Sequence, residues 1–283
     1  MRLLGTTPVR VLNDRDLDEA LAVIDRDPLT NVFVSSRVHR GGLDPSRLNA
    51  QVWGYTVRGR LRSLCYAGAN LVPVGTTPEA VRAFADRARW QGRRCSSIVG
   101  EAEAVRQMWE LLEPRWGPAR AVRAAQPLMA TASAPAVQPE PRVRRVRMNE
   151  LDILVPACVA MFTEEVGVSP EAGSDRGMLY RARIAELVRL GQAFAWIEDR
   201  SVVFKAEIGA VTPHACQVQG VWVRPDLRGR GIAERGMAAV VAEARRSLAP
   251  WVTLYVNDYN VPARTVYQRV GFEEVGTLAS VLF

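Results

Sequence analysis

Two short stretches in the second half of the chain bring together groups that could hold a phosphate and move a proton. The first is Val221-Trp222-Val223-Arg224-Pro225-Asp226-Leu227-Arg228-Gly229-Arg230-Gly231-Ile232-Ala233. An apolar strand-like run enters a glycine turn and leaves at once into a helix. Several backbone N–H groups and the positive end of the helix dipole then converge on one spot, as a phosphate or pyrophosphate requires. Gly229 and Gly231 permit positive φ and a close ligand approach, while Arg228 and Arg230 add positive charge. No Gly-Lys-Ser/Thr follows, so this is not a Walker A loop, and the third glycine of a dinucleotide fingerprint is missing. Taken alone, it could also be a plain strand-to-helix turn. The second stretch runs from Leu254 to Phe272. If Pro262 opens a helix there, Ala263 and Tyr267 fall at i and i+4 on one face. Asn260 stands where it can cap that helix or bond a ligand.

Together, Arg-x-x-Gly-x-Ala and, about 25 residues later, Asn-x-x-Ala-x-x-x-Tyr-x-x-x-Gly-Phe resemble the GCN5-related N-acetyltransferase (GNAT) family. The resemblance covers roughly residues 143–283 and is strongest from Val221 to Phe272. It implies a mixed α/β fold with a central, largely antiparallel sheet flanked by helices. It also implies acetyl-CoA as co-substrate, with no metal. Arg228, Gly229, Arg230, Gly231, Ile232 and Ala233 would hold the pyrophosphate of acetyl-CoA. The backbone of Val221, Trp222 and Val223 would bond the pantetheine arm, and this strand would splay from Thr253 to Val256 to admit the thioester. Asn257, Asn260 and Ala263 would lie along the CoA, and Tyr267 would protonate the departing thiolate.

In such a reaction a neutral amine attacks the carbonyl directly, so positioning and a backbone oxyanion contact supply much of the rate. A general base worth roughly 10²–10⁴ must take the amine proton. Family members often carry Glu or His on the strand leading to the turn. Here Gln217 and Gln219 stand there, reading as on the same side as Val221 and Val223, and glutamine is no base. The remaining candidates are Glu164 and Glu165 after a helix, Glu207 on a strand, and His214 in a turn that reads as exposed. Glu207 shares one face of the apolar run Val202 to Val211 with Lys205, which fits a solvated face or a buried ion pair equally well. Glu164 and Glu165 equally fit an acidic lip for a cationic acceptor, or a helix end. Glu207 and Glu165 therefore join Tyr267 as catalytic candidates.

Element patterns arrange these residues. In the second half a strand over 143–147 and a helix from Asn149 to about Phe162 come first. A helix over 178–190 and strands over 193–198, 202–211 and 216–224 follow. A helix from Ile232, a strand over 251–257, a short helix from Pro262 and a final return to strand complete the order. The first half repeats it, with a hairpin at Arg58-Gly59-Arg60 and a helix capped by Thr77 with Pro78 at its start. At the matching turn, Gly75-Thr76-Thr77-Pro78 has neither a basic residue nor a second glycine, and no tyrosine matches Tyr267. Residues 1–129 thus read as a degenerate GNAT-like domain, 130–142 as an exposed Ala/Pro-rich linker, and 143–283 as the acetyltransferase domain. Tandem acetyltransferases with one active half, such as the mycothiol synthases of actinobacteria, are similar in plan.

Composition excludes other classes. The chain has 283 residues, is 48% hydrophobic and carries a net charge of +7. Lys205 is the sole lysine, so 36 of the 37 basic residues are arginine, a bias that fits a GC-rich bacterial genome. The excess is divided as +5 over residues 1–140 and +2 over the rest, without the basic patch a nucleic-acid binder needs. No apolar run approaches the ~18 residues of a membrane span, and no signal peptide is evident at the start. The four cysteines are isolated, without metal-ligand spacing. A cytoplasmic enzyme is expected, taking a small-molecule or protein amine, without nucleic acid, membrane or metal as partner; a homodimer is compatible. The alternative is a non-catalytic acyl-CoA-binding regulatory protein: Tyr267 favours the enzyme, and Gln217 and Gln219 leave the alternative open.

Overall fold

The computed structural model describes residues 9–173 and 175–283. In chain order the elements are β1 (Val9–Val11), α1 (Leu17–Ile24), α2 (Val32–Gly41), α3 (Pro45–Leu48), β2 (Gln51–Val57), β3 (Arg60–Ala67) and β4 (Asn70–Val74). Next come α4 (Pro78–Gln91), β5 (Ser97–Glu101), α5 (Ala102–Trp116), β6 (Ala121–Thr131), β7 (Arg144–Arg145), α6 (Leu151–Val166) and α7 (Met178–Arg189). The chain ends with β8 (Ala193–Glu198), β9 (Ser201–Val211), β10 (Ala215–Val223), α8 (Ile232–Ser247), β11 (Trp251–Tyr255), α9 (Val261–Val270) and β12 (Glu273–Leu282). They form two compact units. One comprises Met1–Leu128, Tyr255–Tyr259 and Glu274–Phe283, and the other Met129–Leu254 and Asn260–Glu273.

In the first unit β1, β2, β3 and β4 pair antiparallel in that order, β5 joins β4 in parallel, and β12 joins β5 antiparallel. Positive φ at Arg58 and Gly59 makes the expected β2–β3 hairpin turn. One core gathers Phe84 and Ala85 of α4 with Met108 and Leu112 of α5, and a second gathers Ile24, Val34 and Leu64.

The second unit repeats this logic. β7, β8, β9 and β10 run antiparallel and β11 joins β10 in parallel. Asp199 and Arg200, both at positive φ, turn β8 into β9. On one face α6 and α7 bury Leu154, Cys158, Ile184 and Leu187 against strand residues such as Ala195 and Val202. On the other, α8 lies so close that a Cβ on Gly236 would stand 2.8 Å from the Phe204 ring. Gly236 is therefore required by proximity.

Three features differ from the sequence expectation. The two units are not contiguous halves: the last strand, expected beside its own half, has its ladder with β5 in the first unit, Ala279 pairing with Gly100. The segment 130–142 is not a free connector. Ala136 N donates to Val270 O at the end of α9 (2.9 Å), and Glu140 is buried, accepting from Arg142 at 2.7 Å. Prolines and small residues exclude a helix there, but an extended chain can still use acceptors at a helix end. Finally, α2 and β6 form where no element was expected. α2 buries Val34 and Val38, and β6 places its apolar run late, with burial beginning at Gln126.

A charged staple opens α6. Glu150 accepts from Arg147 N (2.9 Å) and from both terminal nitrogens of Arg144 (2.8 and 2.6 Å). The Arg144 guanidinium, aided by the Arg147 N–H and opposed by burial, holds the Glu150 carboxyl at about 2, below its ordinary 4.5. A depressed carboxyl contributes stability that is complete above 4.5 and lost as pH falls through about 2. Glu150→Gln should therefore lower the melting temperature at neutral pH and flatten its decline between those two pH values. Parallel acid limbs for the two proteins would remove this staple from the stability account.

Candidate active site

The site of interest starts as a fault in a ladder. On β10, Gln219 pairs with Glu207 and Trp222 with Lys205, so Gly220 and Val221 together oppose the single residue Ala206. Gly220 has φ +60, the left-handed glycine that opens this kind of bulge. The extra residue reverses the alternation of side chains. Trp222, rather than Val221 or Val223, continues the face of Gln219, and Val223 pairs with Phe204 on the opposite face. The expectation that Gln219 shares a side with Val223 is thus corrected. Before the bulge β10 has already parted from its other neighbour. Its parallel register with β11 covers Ala215, Cys216 and Gln217 opposite Trp251, Val252 and Thr253, and stops there. The strand edge at Val221–Val223 lies past the end of that ladder.

β10 then delivers the chain through a short turn (Pro225–Leu227) into Arg228–Gly231 and α8. Gly229 has φ +76 and Gly231 φ +71, and a Cβ at either would meet nothing within 4 Å. Gly231 is the residue before α8 and supplies no side-chain cap. The first amides of α8, at Ile232, Ala233 and Glu234, have no intrahelical acceptor. Such a start could accept an anion, and the residues present fit a pyrophosphate. Arg228 is oriented by its Nε donating to Val223 O (3.0 Å) and its guanidinium donating to Glu164 Oε2 (2.7 Å). Arg230 is exposed at the same turn.

Tyr267, on α9, is 8% exposed and stacks at 6.0 Å, tilted, on Phe272. Burial, with a smaller contribution from the Glu165 carboxylate, raises its phenol above the ordinary tyrosine value. Its hydroxyl therefore stays protonated through neutral and mildly alkaline pH. Asn260 caps α9, its Oδ1 accepting from Ala263 N at 3.2 Å. Asn257 lies in the first unit, where its Oδ1 accepts from Gln126 Nε2 at 3.0 Å.

The candidate bases separate by environment. Glu207 is buried in an ion pair with Lys205 and also accepts from the Cys158 thiol (3.4 Å). Of the two readings of this strand face, the buried ion pair is the one found. Lys205 is wholly buried. Burial works against its charge, but Glu207 and Cys158 outweigh that and hold it above the ordinary lysine value. Burial pushes the Cys158 thiol up to about 12, Lys205 opposing and Glu207 adding, so it remains a neutral donor. Glu164 accepts from Arg228 and from Trp222 Nε1 (3.2 Å). Glu165 is exposed on the last turn of α6, and its charge contributes to raising both Tyr267 and Tyr180. Gln219 lies over Gly209, where a Cβ would overlap its amide, and His214 is exposed. Among the described residues no cluster of three or more His, Cys, Asp or Glu could hold a metal ion, and no helix is long and apolar enough to cross a membrane.

Sequence reasoning missed the bulge, Cys158 and Tyr180, whose hydroxyl donates to Cys158 O at 3.0 Å. A signal for the bulge was present: Gly220 is an isolated glycine within a strand pattern. In the first unit the turn at the end of β4 is built differently. Thr77 caps α4 by accepting from Ala80 N (3.4 Å), and Pro78 has no N–H to offer.

Residues 168–272 match the acetyltransferase (GNAT) family, and residues 50–154 match a domain of unknown function (DUF4081). A peptidyl-lysine N-acetyltransferase, YjaB of Salmonella typhimurium, is 31% identical over 103 residues, 34% of this chain. That match spans 63% of the relative, less than two thirds of its length. A GCN5-related N-acetyltransferase from Sphaerobacter thermophilus superposes with a TM-score of 0.59 at 16% identity, covering 97% of this chain and 95% of the other. A tandem GNAT protein from the clavulanic acid biosynthesis pathway superposes with a TM-score of 0.52 at 13% identity, covering 97% and 98%. These likenesses establish the GNAT fold in tandem form.

The bulge yields a direct test. Gly220→Ala places a side chain at positive φ, worth roughly 1–2 kcal/mol. It also sets the new carbon 3.2 Å from Lys205 Nζ and Met161 Cε. Urea titration should show at least that loss; wild-type stability would mean that β10 is regular at this point.

Proposed function

We propose that this chain, whose residues 168–272 match the acetyltransferase (GNAT) family, is an acetyl-CoA-dependent N-acetyltransferase that acts from its second unit. The observation that carries the reading is the path of β10: it leaves its parallel neighbour after Gln217 and runs into the uncapped, glycine-flanked start of α8. The backbone amides of Gly229 to Ala233 and the charges of Arg228 and Arg230 would bind the pyrophosphate. The open edge of Val221–Val223 would hold the pantetheine arm through its backbone, and the bulge would offer an amide to the acetyl carbonyl. Acetyl-CoA supplies the acetyl group as a thioester. Tyr267, kept protonated by burial, would give its proton to the leaving thiolate. Glu165 is favoured as base over Glu207, whose carboxylate is engaged by Lys205 and Cys158. The first unit, with its capped and proline-started α4, would serve as a non-catalytic partner domain.

The acceptor would be a small-molecule or protein amine, in a soluble bacterial protein of the cytoplasm. The Salmonella relative is named for peptidyl-lysine, so lysine peptides belong in the test panel beside polyamines, amino acids and amino sugars. Acetyl-CoA should raise the melting temperature of wild type but not of Gly231→Glu, whose side chain would enter the cradle. Thiol release should appear with at least one amine, and Tyr267→Phe should lower it by roughly 10²–10⁴ while acetyl-CoA still binds. Equal thermal shifts in wild type and Gly231→Glu would refute the loop assignment. Binding without thiol release from any amine would favour a non-catalytic acyl-CoA sensor.

A further inference from the structure

A wholly buried lysine needs a reason. Lys205 is the only lysine in the chain, and none of its side chain reaches solvent. Its ammonium donates to Glu207 and to Cys158 Sγ (3.3 Å), and the Cys158 thiol completes the triangle to Glu207. Taking both charges out of water costs several kcal/mol per ion, and such pairs are often replaceable by apolar residues without loss of stability. Stability is therefore a poor reason to have this one.

The position supplies a better reason. Lys205 and Glu207 are the two β9 residues whose partners, Trp222 and Gln219, bracket the bulge. Their side chains join on the face where a Cβ on Gly220 would lie 3.2 Å from Lys205 Nζ and 3.3 Å from Glu207 Cδ. The ion pair thus spans the fault in the ladder, with room for little more than one carbon between it and Gly220. A G1-type bulge leaves its extra residue without a ladder partner, so something outside the ladder must fix its conformation. Here the i, i+2 pair of β9, bonded to Cys158 of α6, lies beside that residue.

We infer that Lys205 and Glu207 are positioning residues, which lock the Gly220–Val221 bulge in the conformation that acetyl transfer uses. The inference rests on the acetyltransferase reading for its consequence in turnover, but its structural half can be measured without any substrate. Neither residue needs to touch acetyl-CoA. Removing them should loosen the bulge and leave the pyrophosphate cradle, formed by a separate segment, as it was.

The test compares Lys205→Met, Glu207→Met and the double variant with wild type. Each single variant strands a buried charge and should lower the melting temperature by roughly 6–20 °C. The double variant should recover to within about 4 °C of wild type. Hydrogen exchange of the substrate-free double variant should be roughly tenfold or more faster in peptides covering 218–223, and unchanged in other β10 and β9 peptides. Its acetyl-CoA dissociation constant should stay within about twofold, while kcat with the best amine falls roughly 10²-fold. A double variant that keeps both bulge protection and kcat, or is as unstable as the singles, overturns the inference. If wild type transfers no acetyl group while the exchange difference persists, the acetyltransferase reading fails and the bulge support stands.

Discussion

One extra residue in β10 governs the arrangement of the second unit. Side chains on a strand alternate with a period of two, so a single insertion exchanges the faces of everything beyond it. Before the bulge, Gln219 lies over Gly209; after it, Trp222 returns to that same face and packs with the α6–α7 core. Val223 is thereby turned to the Phe204 face, the side on which Gly236 brings α8 into contact. Were the same sequence paired without a bulge, Trp222 would fall opposite Phe204, on the side of that tight α8 contact, and Val221 opposite Lys205. The bulge thus reconciles two packed faces at the point where the strand gives way to the glycine turn.

Electrostatic contributions are uneven around it. The exposed Arg228–Glu164 pair is about half open to water on both sides, and pairs of that kind contribute about 0–1 kcal/mol. Its use is orientation, since the same guanidinium is fixed from behind by Val223 O. The Lys205–Glu207 pair is the opposite case. It is costly to bury and costly to break, and Cys158 is kept neutral, so that it donates to Glu207 rather than adding a second negative charge. A buried pair tied to a third buried group constrains geometry more than it adds net stability.

What the sequence made legible follows from how local each signal is. The glycine turn, the start of α8, the hairpin at Arg58-Gly59-Arg60, and the caps Thr77 and Asn260 are determined within a few residues, and each is found where it was read. The bulge was not read, because a bulge is defined by the register of a partner strand and only Gly220 hints at it. Lys205 and Glu207 were seen to share a face, but spacing cannot tell a buried face from a wet one; Cys158, 47 residues away in sequence from Lys205, decides it. The pairing of β12 with β5 is the most remote of all, joining Leu278 to Glu101. No periodicity within β12 encodes which edge it will meet. The tight interval from Val221 to Phe272 was therefore more informative about the site than the full chain was about its partition.

The two units start their corresponding helices in opposite ways. In both, a strand feeds a glycine turn and a helix. At α4, Thr77 satisfies one of the free amides and Pro78 removes another, the usual way to finish a helix well. A good N-cap is worth typically ~1 kcal/mol, so replacing glycine with threonine and proline at such a turn is favoured whenever no ligand needs those amides. At α8 the opposite choice stands: Gly231 supplies no side-chain cap, and α8 starts without that stabilisation. An uncapped start with open space above both glycines leaves those amides to water or to a ligand. The α8 amides could thus donate to an anion, and fewer amides at the start of α4 could do so. The cap residue therefore separates the two units more sharply than the order of strands and helices, which they share.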